Sequence, residues 1–187
     1  MVRDPPRARR DVTGAAPAPL IVTAELPPDI HRWATRLRAA HYPPERNFLE
    51  AHVTLFHALP PGSEDEVSGR LAKLAAEHVP VAARLEGVMS LGIGTALRLA
   101  SPDMLTLRSD LAVQFHGLLT VQDVHEPRLH VTIQNKVSSQ AARDLQRRLS
   151  AEIEPRPFTF PGLALHRYRG GSWEFVKRWP FRGKKRG

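Results

Sequence analysis

Two short segments of the sequence are near copies of each other, and each contains a histidine two residues before a threonine. Residues 52–59 are HVTLFHAL and residues 130–137 are HVTIQNKV. Their β-branched and apolar residues are typical of strands. Alternation along a strand predicts two groups that each share a face: His52, Thr54 and Phe56 in the first copy, and His130, Thr132, Gln134 and Lys136 in the second.

These residue types suit acid-base chemistry on a phosphoester. Two imidazoles with an ordinary pKa near 6.5 can supply a general base and a general acid together at neutral pH. Threonine hydroxyls can donate to anionic oxygens, in bonds worth about 1.5–3 kcal/mol each when charge-assisted. We therefore predict that His52 and His130 drive in-line displacement at phosphorus, that Thr54 and Thr132 hold the phosphate, and that no metal is required.

One histidine in a strand is more often structural than catalytic, so the argument depends on the duplication. Segments with strand and helix patterns alternate twice in the same order, and three landmarks recur 74 to 78 residues apart. They are Pro28-Asp29-Ile30 with Pro102-Asp103-Met104, His52 with His130, and Gly87 with Gly162. This repetition indicates a doubled strand-helix-strand-helix-strand unit. The fold class predicted is α+β, with two antiparallel sheets lining a central cleft and helices outside.

The domain boundaries follow from composition. Residues 1–18 are rich in Pro, Arg and Ala without apolar periodicity, which predicts a disordered leader. Residues 19–181 form the predicted domain, with pseudo-twofold lobes at about 19–92 and 93–181. Residues 182–187 form a basic tail. The formal net charge of +8 lies mostly in the two ends, so the body is only mildly basic.

Location is inferred from what the chain contains. A double arginine at residues 9 and 10 precedes an apolar run, as in export signals, but Pro17 and Pro19 interrupt that run and it continues into a predicted strand. There are no cysteines. No apolar run approaches the roughly 18–20 residues of a membrane span. We expect a cytoplasmic monomer that does not contact membranes.

At the two histidine motifs the chain resembles the 2H phosphoesterase superfamily, and within it the bacterial 2'-5' RNA ligase-like and cyclic phosphodiesterase proteins. The resemblance covers about residues 19–181 and includes the closing stretch GGSWEFVKRWPF. It implies a bilobal fold whose motifs line a groove, and metal-free hydrolysis, or reversible formation, of 2',3'-cyclic or 2'-5' phosphodiesters of RNA or small nucleotides. Where that branch often has an arginine after the second motif, this chain has Gln134, Asn135 and Lys136, and Lys136 would replace part of the charge.

Aromatic residues and other histidines outside the motif faces are candidates for substrate contact or for the core. Phe56 and Tyr168 are candidates for stacking on a base, although core packing is the favoured role for Phe56. Trp33 and Trp173 are expected in the core or between the lobes. His57 is expected to be structural and His125 to be a solvated histidine in the loop before the second motif, while His166, which has no partner in the first repeat, is not assigned. No HExxH spacing, phosphate-binding glycine loop or dinucleotide motif is found, so neither a metal nor a cofactor is expected.

Two further functions remain open at this stage. In the first, the protein binds RNA ends through a terminal phosphate and has little catalysis, which the basic ends favour. In the second, the substrate is a cyclic phosphate derived from ADP-ribose or from a non-nucleotide. A substrate panel and the pH dependence of the two histidine variants separate these alternatives from an RNA or nucleotide phosphodiesterase.

Overall fold

Two four-stranded antiparallel sheets form the centre of the protein in a computed structural model that describes residues 18–184. The elements in chain order are β1 (Leu20–Ala24), α1 (Pro28–His41), β2 (Val53–Leu59), α2 (Glu64–Glu77), β3 (Val81–Ser90), β4 (Thr95–Ala100), α3 (Pro102–Gln114), α4 (Val121–Val124), β5 (His130–Gln134), α5 (Ser139–Glu152), β6 (Arg156–Phe160), β7 (Gly162–Arg169) and β8 (Ser172–Pro180). The α+β prediction with two antiparallel sheets is confirmed. The short helix α4 was not predicted.

The two sheets have equivalent strand orders, β2-β1-β7-β8 and β5-β4-β3-β6. Each sheet is built from both halves of the chain, because β1 pairs with β7 and β4 pairs with β3. The predicted boundary between lobes near residue 92 is therefore not a boundary between sheets. The last strand of each predicted repeat joins the sheet of the other repeat, where its backbone groups find antiparallel partners.

The helices form where sequence signals and apolar stripes coincide. Helix α3 begins after Ser101, whose side chain accepts a hydrogen bond from the backbone N–H of Met104, and Pro102 occupies its first position, as predicted. Helix α2 begins with three acidic residues and buries Val67, Leu71 and Leu74. Burial of each such side chain contributes about 1.5–3 kcal/mol, so the apolar stripes hold the helices against the sheets.

Both motif strands contain an extra residue directly after the motif threonine. In β2, Thr54 pairs with Thr23 and Phe56 pairs with the next residue, Val22, so Leu55 is the extra residue. The register of β5 is interrupted in the same way, since Thr132 pairs with Ala96 and Gln134 pairs with Thr95. A β-bulge of this kind resets the alternation of side chains, so residues beyond each bulge lie on the opposite face from the one that simple alternation predicts.

The ends of the chain are partly outside the described residues. All of the predicted leader except residue 18 lies outside them. The first two residues of the predicted tail are hydrogen-bonded to the domain. The backbone N–H of Arg182 donates to the Ala75 carbonyl oxygen at 2.9 Å, and that of Gly183 donates to the His78 carbonyl oxygen at 2.8 Å. These bonds attach the chain to the carboxyl end of α2, where carbonyls lack intrahelical partners.

Within residues 18–184, no helix combines the length and the apolar character that crossing a bilayer demands.

Candidate active site

The two motif histidines lie at the start of strands that form the edges of the two sheets. His52 directly precedes β2 and His130 is the first residue of β5. Strand β2 is the edge of the first sheet and β5 is the edge of the second, and the two strands are in contact. The contact between β2 and β5 therefore places the two motif strands next to each other.

Both imidazoles are held by the same local hydrogen bond. Nδ1 of His52 lies 2.7 Å from the carbonyl oxygen of Glu50, and Nδ1 of His130 lies 2.7 Å from the carbonyl oxygen of Arg128. A carbonyl oxygen only accepts, so Nδ1 carries the proton in both rings. In the neutral rings Nε2 is therefore the free acceptor, and no residue in the described part of the chain bonds either Nε2. Each ring presents an Nε2 atom able to accept or donate a proton.

His52 lies in an environment that disfavours its charged form. Its ring centroid is 4.4 Å from that of Trp173. Burial is the main cause that lowers the pKa of His52 to about 4. The hydrogen bond to the Glu50 carbonyl acts in the opposite direction, and the positive charges of Arg38, His166 and His130 lower the pKa further. The ring is consequently neutral at pH 7, which is the state needed in a general base.

Thr54 and Thr132 are both half-buried, two residues after their histidines. Thr54 is the cross-strand partner of Thr23 on β1, so a second hydroxyl-bearing residue lies directly beside the first motif. Thr23 is itself buried, and its Oγ1 lies 3.2 Å from Nε2 of His166. Hydroxyls therefore accompany His52 as the sequence predicted, but one of them comes from a strand that carried no motif.

Two of the predicted substrate contacts lie in the core. Phe56 is fully buried and packs edge-to-face against Phe115, with ring centroids 5.3 Å apart, and the guanidinium of Arg108 lies over it. Gln134 is also buried, at 8% exposure. The bulges after Thr54 and Thr132 explain both errors, because each turns the following side chain away from the histidine face. Phe56 has no exposed surface with which to contact a substrate, and Gln134 has very little, although its Oε1 has no hydrogen-bond partner within residues 18–184.

The other two predicted contacts are exposed. Lys136 follows the end of β5 in a turn, with a positive φ of 56°. It is therefore not on the strand, and the expectation that it shares the face of His130 by alternation was wrong. Tyr168 is 43% exposed on β7 and pairs with Trp173 on β8. It stays a candidate for substrate contact.

A cavity of about 740 Å³ opens beside His52 and brings in residues that the sequence did not assign. His166, Trp173 and Phe175 line it, and the ring of His166 lies 5.5 Å from Trp173 and 5.9 Å from Phe175 between centroids. Trp173 was predicted in the core or between lobes and His166 was left unassigned. One sequence signal could have indicated this arrangement. Two strand segments, His166-x-Tyr168 and Trp173-x-Phe175, flank a Gly-Gly pair, and a hairpin there places all four side chains on one face of the sheet.

Charged residues and a further aromatic side chain complete the cavity. Glu25 forms an ion pair with Arg178, whose Nε lies 3.0 Å from Oε1 of Glu25, and burial raises the pKa of Glu25. Phe48, 63% exposed, stands at the rim near the β7–β8 turn. The cavity thus combines exposed aromatic surface with a few charges, which is the composition of a site for a planar, polar ligand.

The remaining histidines of the motif region lie elsewhere. Nδ1 of His57 is 3.0 Å from Oδ1 of Asp123, a buried residue of α4 that also accepts from the backbone N–H groups of His57 and Ala58. His125 is exposed in the loop after α4. Residues 18–184 contain no group of three or more His, Asp or Glu side chains arranged to hold a metal ion.

Comparisons with known proteins agree with this architecture. The family model of the 2'-5' RNA ligase superfamily matches residues 26–172. The structure is similar to that of TT0787 of Thermus thermophilus, with a TM-score of 0.60 and 17% identity, over 89% of this chain and 99% of that one. It is also similar to Escherichia coli LigT complexed with 3'-AMP, with a TM-score of 0.56 and 18% identity, over 88% and 98%. For E. coli LigT complexed with phosphate the TM-score is 0.57 and the identity 17%, over 88% of this chain and 98% of that one. No curated sequence matches.

Proposed function

The chain belongs to the 2'-5' RNA ligase superfamily of phosphoesterases, and we propose that it hydrolyses a 2',3'-cyclic or 2'-5' phosphodiester of RNA or a small nucleotide with two histidines and no metal. The observation that carries the proposal is the matched orientation of His52 and His130. In each ring the Nδ1–H group donates a hydrogen bond to the carbonyl oxygen two residues earlier, and Nε2 has no hydrogen-bond partner within residues 18–184. Two imidazoles held in the same tautomer can act as base and acid on one phosphorus atom.

The lowered pKa of His52 supports its assignment as the general base. In the proposed reaction its neutral Nε2 takes a proton from water while the water oxygen bonds to phosphorus. The bond from phosphorus to one ribose oxygen breaks, and His130, which enters this step as the doubly protonated imidazolium, donates its Nε2 proton to that oxygen. The product is a ribose monophosphate, and proton exchange with solvent restores both rings. With a 5'-hydroxyl in place of water, attack on a 2',3'-cyclic phosphate breaks the bond from phosphorus to O3' and forms a 2'-5' phosphodiester.

The two threonines suit the role of phosphate ligands. Thr54 and Thr132 stand at equivalent positions of the two motif strands, and in the proposed reaction their hydroxyls donate to the two nonbridging oxygens. Hydrogen bonds to an anionic oxygen contribute about 1.5–3 kcal/mol each. They contribute to catalysis only to the extent that they strengthen as charge develops on those oxygens.

The aromatic cavity supports a nucleotide over a small non-nucleotide phosphodiester. Trp173 and Phe175 provide faces for a base directly beside His52. Stacking of a base on an aromatic side chain contributes about 1–3 kcal/mol. The complexes of E. coli LigT with 3'-AMP and with phosphate, on a similar fold, also support a ligand of this class. Tyr168 and Lys136 stand as proposed outer contacts.

A substrate panel in the presence of EDTA tests the proposal. We expect turnover of 2',3'-cyclic nucleotides or of a 2'-5'-linked dinucleotide, and none of the 3'-5'-linked isomer, which serves as the matched control. Loss of turnover in chelator would contradict metal independence. An RNA with a terminal phosphate that binds without any turnover on the panel would favour the end-binding function instead.

A further inference from the structure

Arg38 of α1 is a buried side chain that connects the two motifs. Only 4% of the residue is exposed. Its Nε donates to the Leu49 carbonyl oxygen at 2.9 Å and to Oδ1 of Asn47 at 2.8 Å, and its Nη1 donates to the Thr132 carbonyl oxygen at 2.9 Å. Leu49 is three residues before His52. One guanidinium therefore ties the segment that leads to the first histidine to the phosphate-binding residue of the second motif.

The segment that Arg38 holds has little other support. Residues 47–52 form neither helix nor strand. Besides the bonds of Arg38, α1 contacts this segment at two points: the backbone N–H of Ala51 donates to Oγ1 of Thr35 at 3.1 Å, and Nε2 of His31 lies 3.4 Å from Oε2 of Glu50. An irregular segment has no ladder of hydrogen bonds to fix it. The position of His52 relative to Thr132 consequently depends on the contacts of α1, and Arg38 supplies three of them.

The charge of Arg38 has no acidic counterpart. Within residues 18–184 no carboxylate forms an ion pair with it, its hydrogen-bond acceptors are neutral oxygens, and its guanidinium stacks 4.0 Å from the Tyr42 ring centroid. Burial lowers its pKa. The equally buried Arg108 differs, because Asp123 and Glu126 act on it with opposite charge. A buried cation without a compensating anion is costly, and it attracts an anion brought to its surroundings.

We propose that Arg38 is a positioning residue of the active site, which fixes His52 against Thr132 and supplies positive potential to the bound phosphate without touching it. The inference rests on the proposed function for its catalytic part only. Its electrostatic part concerns the binding of an anion and can be tested without turnover.

The main experiment compares Arg38→Gln, Arg38→Lys and the parent protein, with inorganic phosphate as the probe. We expect the neutral Arg38→Gln to weaken phosphate binding by about tenfold, as removal of one charge near an anion predicts, and Arg38→Lys to bind within about threefold of the parent. Leu37→Ala, on the same helix but in the groove beside Trp33, is the control for lost stability and is expected to keep the parent affinity. Parent-like phosphate binding by a folded Arg38→Gln protein would overturn the electrostatic part.

The pKa of His52, measured by titration, is a second readout. It should not change if Arg38 has only a structural role. The charged groups facing this ring are Arg38 from α1, His166 from β7 and His130 from β5, besides the Glu50 carbonyl of its own segment. Loss of the Arg38 charge should raise the pKa of His52 in an NMR titration, while Arg38→Lys should leave it near that of the parent. An unchanged titration in Arg38→Gln contradicts the proposal.

Asn47→Ala tests positioning if Arg38→Gln does not fold. This change removes one acceptor of Arg38 and leaves the charge in place. We expect kcat to fall by about tenfold while the affinity for phosphate is unchanged, and an unchanged kcat would overturn the positioning part. Absence of turnover by the parent on every phosphodiester would instead contradict the proposed function, and the phosphate and NMR results would still decide the electrostatic role of Arg38.

Discussion

The indole ring of Trp173 lies 4.4 Å from the imidazole ring of His52, measured between centroids, with the two planes tilted by 52°. Trp173 is on β8 and His52 precedes β2, and these strands are the two opposite edges of the first sheet. The two rings therefore meet across β1 and β7, the strands that lie between those edges. The same indole both packs against His52 and lines the adjoining cavity.

Replacement of Trp173 should therefore affect substrate binding and titration together. We expect Trp173→Ala to raise KM for a cyclic nucleotide by about 5- to 150-fold, the equivalent of 1–3 kcal/mol of stacking. It should also move the pKa of His52 from about 4 towards its ordinary value, since burial is the main cause of the shift. Steady-state kinetics and an NMR titration measure the two effects.

Trp33→Ala is the matched control for that variant. Trp33 lies in α1 beside a separate groove of about 390 Å³, with the guanidinium of Arg156 4.8 Å from its ring centroid. Its loss should lower the free energy of unfolding and leave KM unchanged. Equal changes in KM for both tryptophan variants would indicate a general loss of structure.

The pH dependence of kcat/KM should reveal the depressed pKa of His52. A general base is active when it is neutral, and a folded-state pKa of about 4 keeps His52 neutral down to that pH. We expect the acid limb of the profile to lie near pH 4, and to move to higher pH in Trp173→Ala. An acid limb near the ordinary histidine pKa of about 6.5 in the parent would show that His52 is hydrated or is not the base.

The two motif histidines should each be essential to turnover. We expect His52→Ala and His130→Ala to lower kcat by about 10²- to 10⁴-fold each, and the double variant to lose much less than the product of the two, because the groups act as a unit. Circular dichroism should show both variants folded. Near-parent turnover in either would contradict the two-histidine mechanism.

His57→Ala is the control for these variants, since it removes an imidazole from the same strand. His57 contacts Asp123 at 3.0 Å, away from the cavity, and hydrogen bonds from His57 and Ala58 outweigh burial and lower the pKa of Asp123. We expect a loss of about 0.5–1.5 kcal/mol in the free energy of unfolding, with kcat/KM unchanged.

Two glycine positions should respond to alanine in opposite directions. Gly69 lies in α2 with open space around the position of a new Cβ, so Gly69→Ala should stabilise the protein by about 0.5–1 kcal/mol. A Cβ on Gly183 would lie 2.4 Å from the backbone oxygen of Glu77. Gly183→Ala should therefore destabilise by about 1–3 kcal/mol. Thermal unfolding measures both changes, and a loss of stability in Gly69→Ala would contradict the first.

Local sequence signals were sufficient for most of the secondary structure. The apolar stripe of α2, the Ser101-Pro102 start of α3 and the β-branched motif segments each depend on residues within one turn or one strand. The duplication was visible for the same reason, since it repeats local signals in order. These features pointed to both histidines and both threonines without reference to long-range contacts.

Long-range pairing determined the other site residues. His166 and Trp173 reach His52 only because β7 pairs with β1, more than a hundred residues away in sequence. Such pairing depends on the hydrogen-bond register of the whole sheet, and no local pattern specifies it. Arg38 likewise reaches the second motif only because α1, in the first repeat, packs against β5, in the second.

The sequence by itself determined the two histidine motifs and the proposal that they carry the chemistry, because residue type and local spacing define both. The tertiary structure alone decided which neighbours face them. A single extra residue after Thr54 and after Thr132 moved Phe56 and Gln134 into the core. The physical reason is that strand alternation holds only as long as the ladder of hydrogen bonds is regular, and the position of a bulge is set by the partner strand.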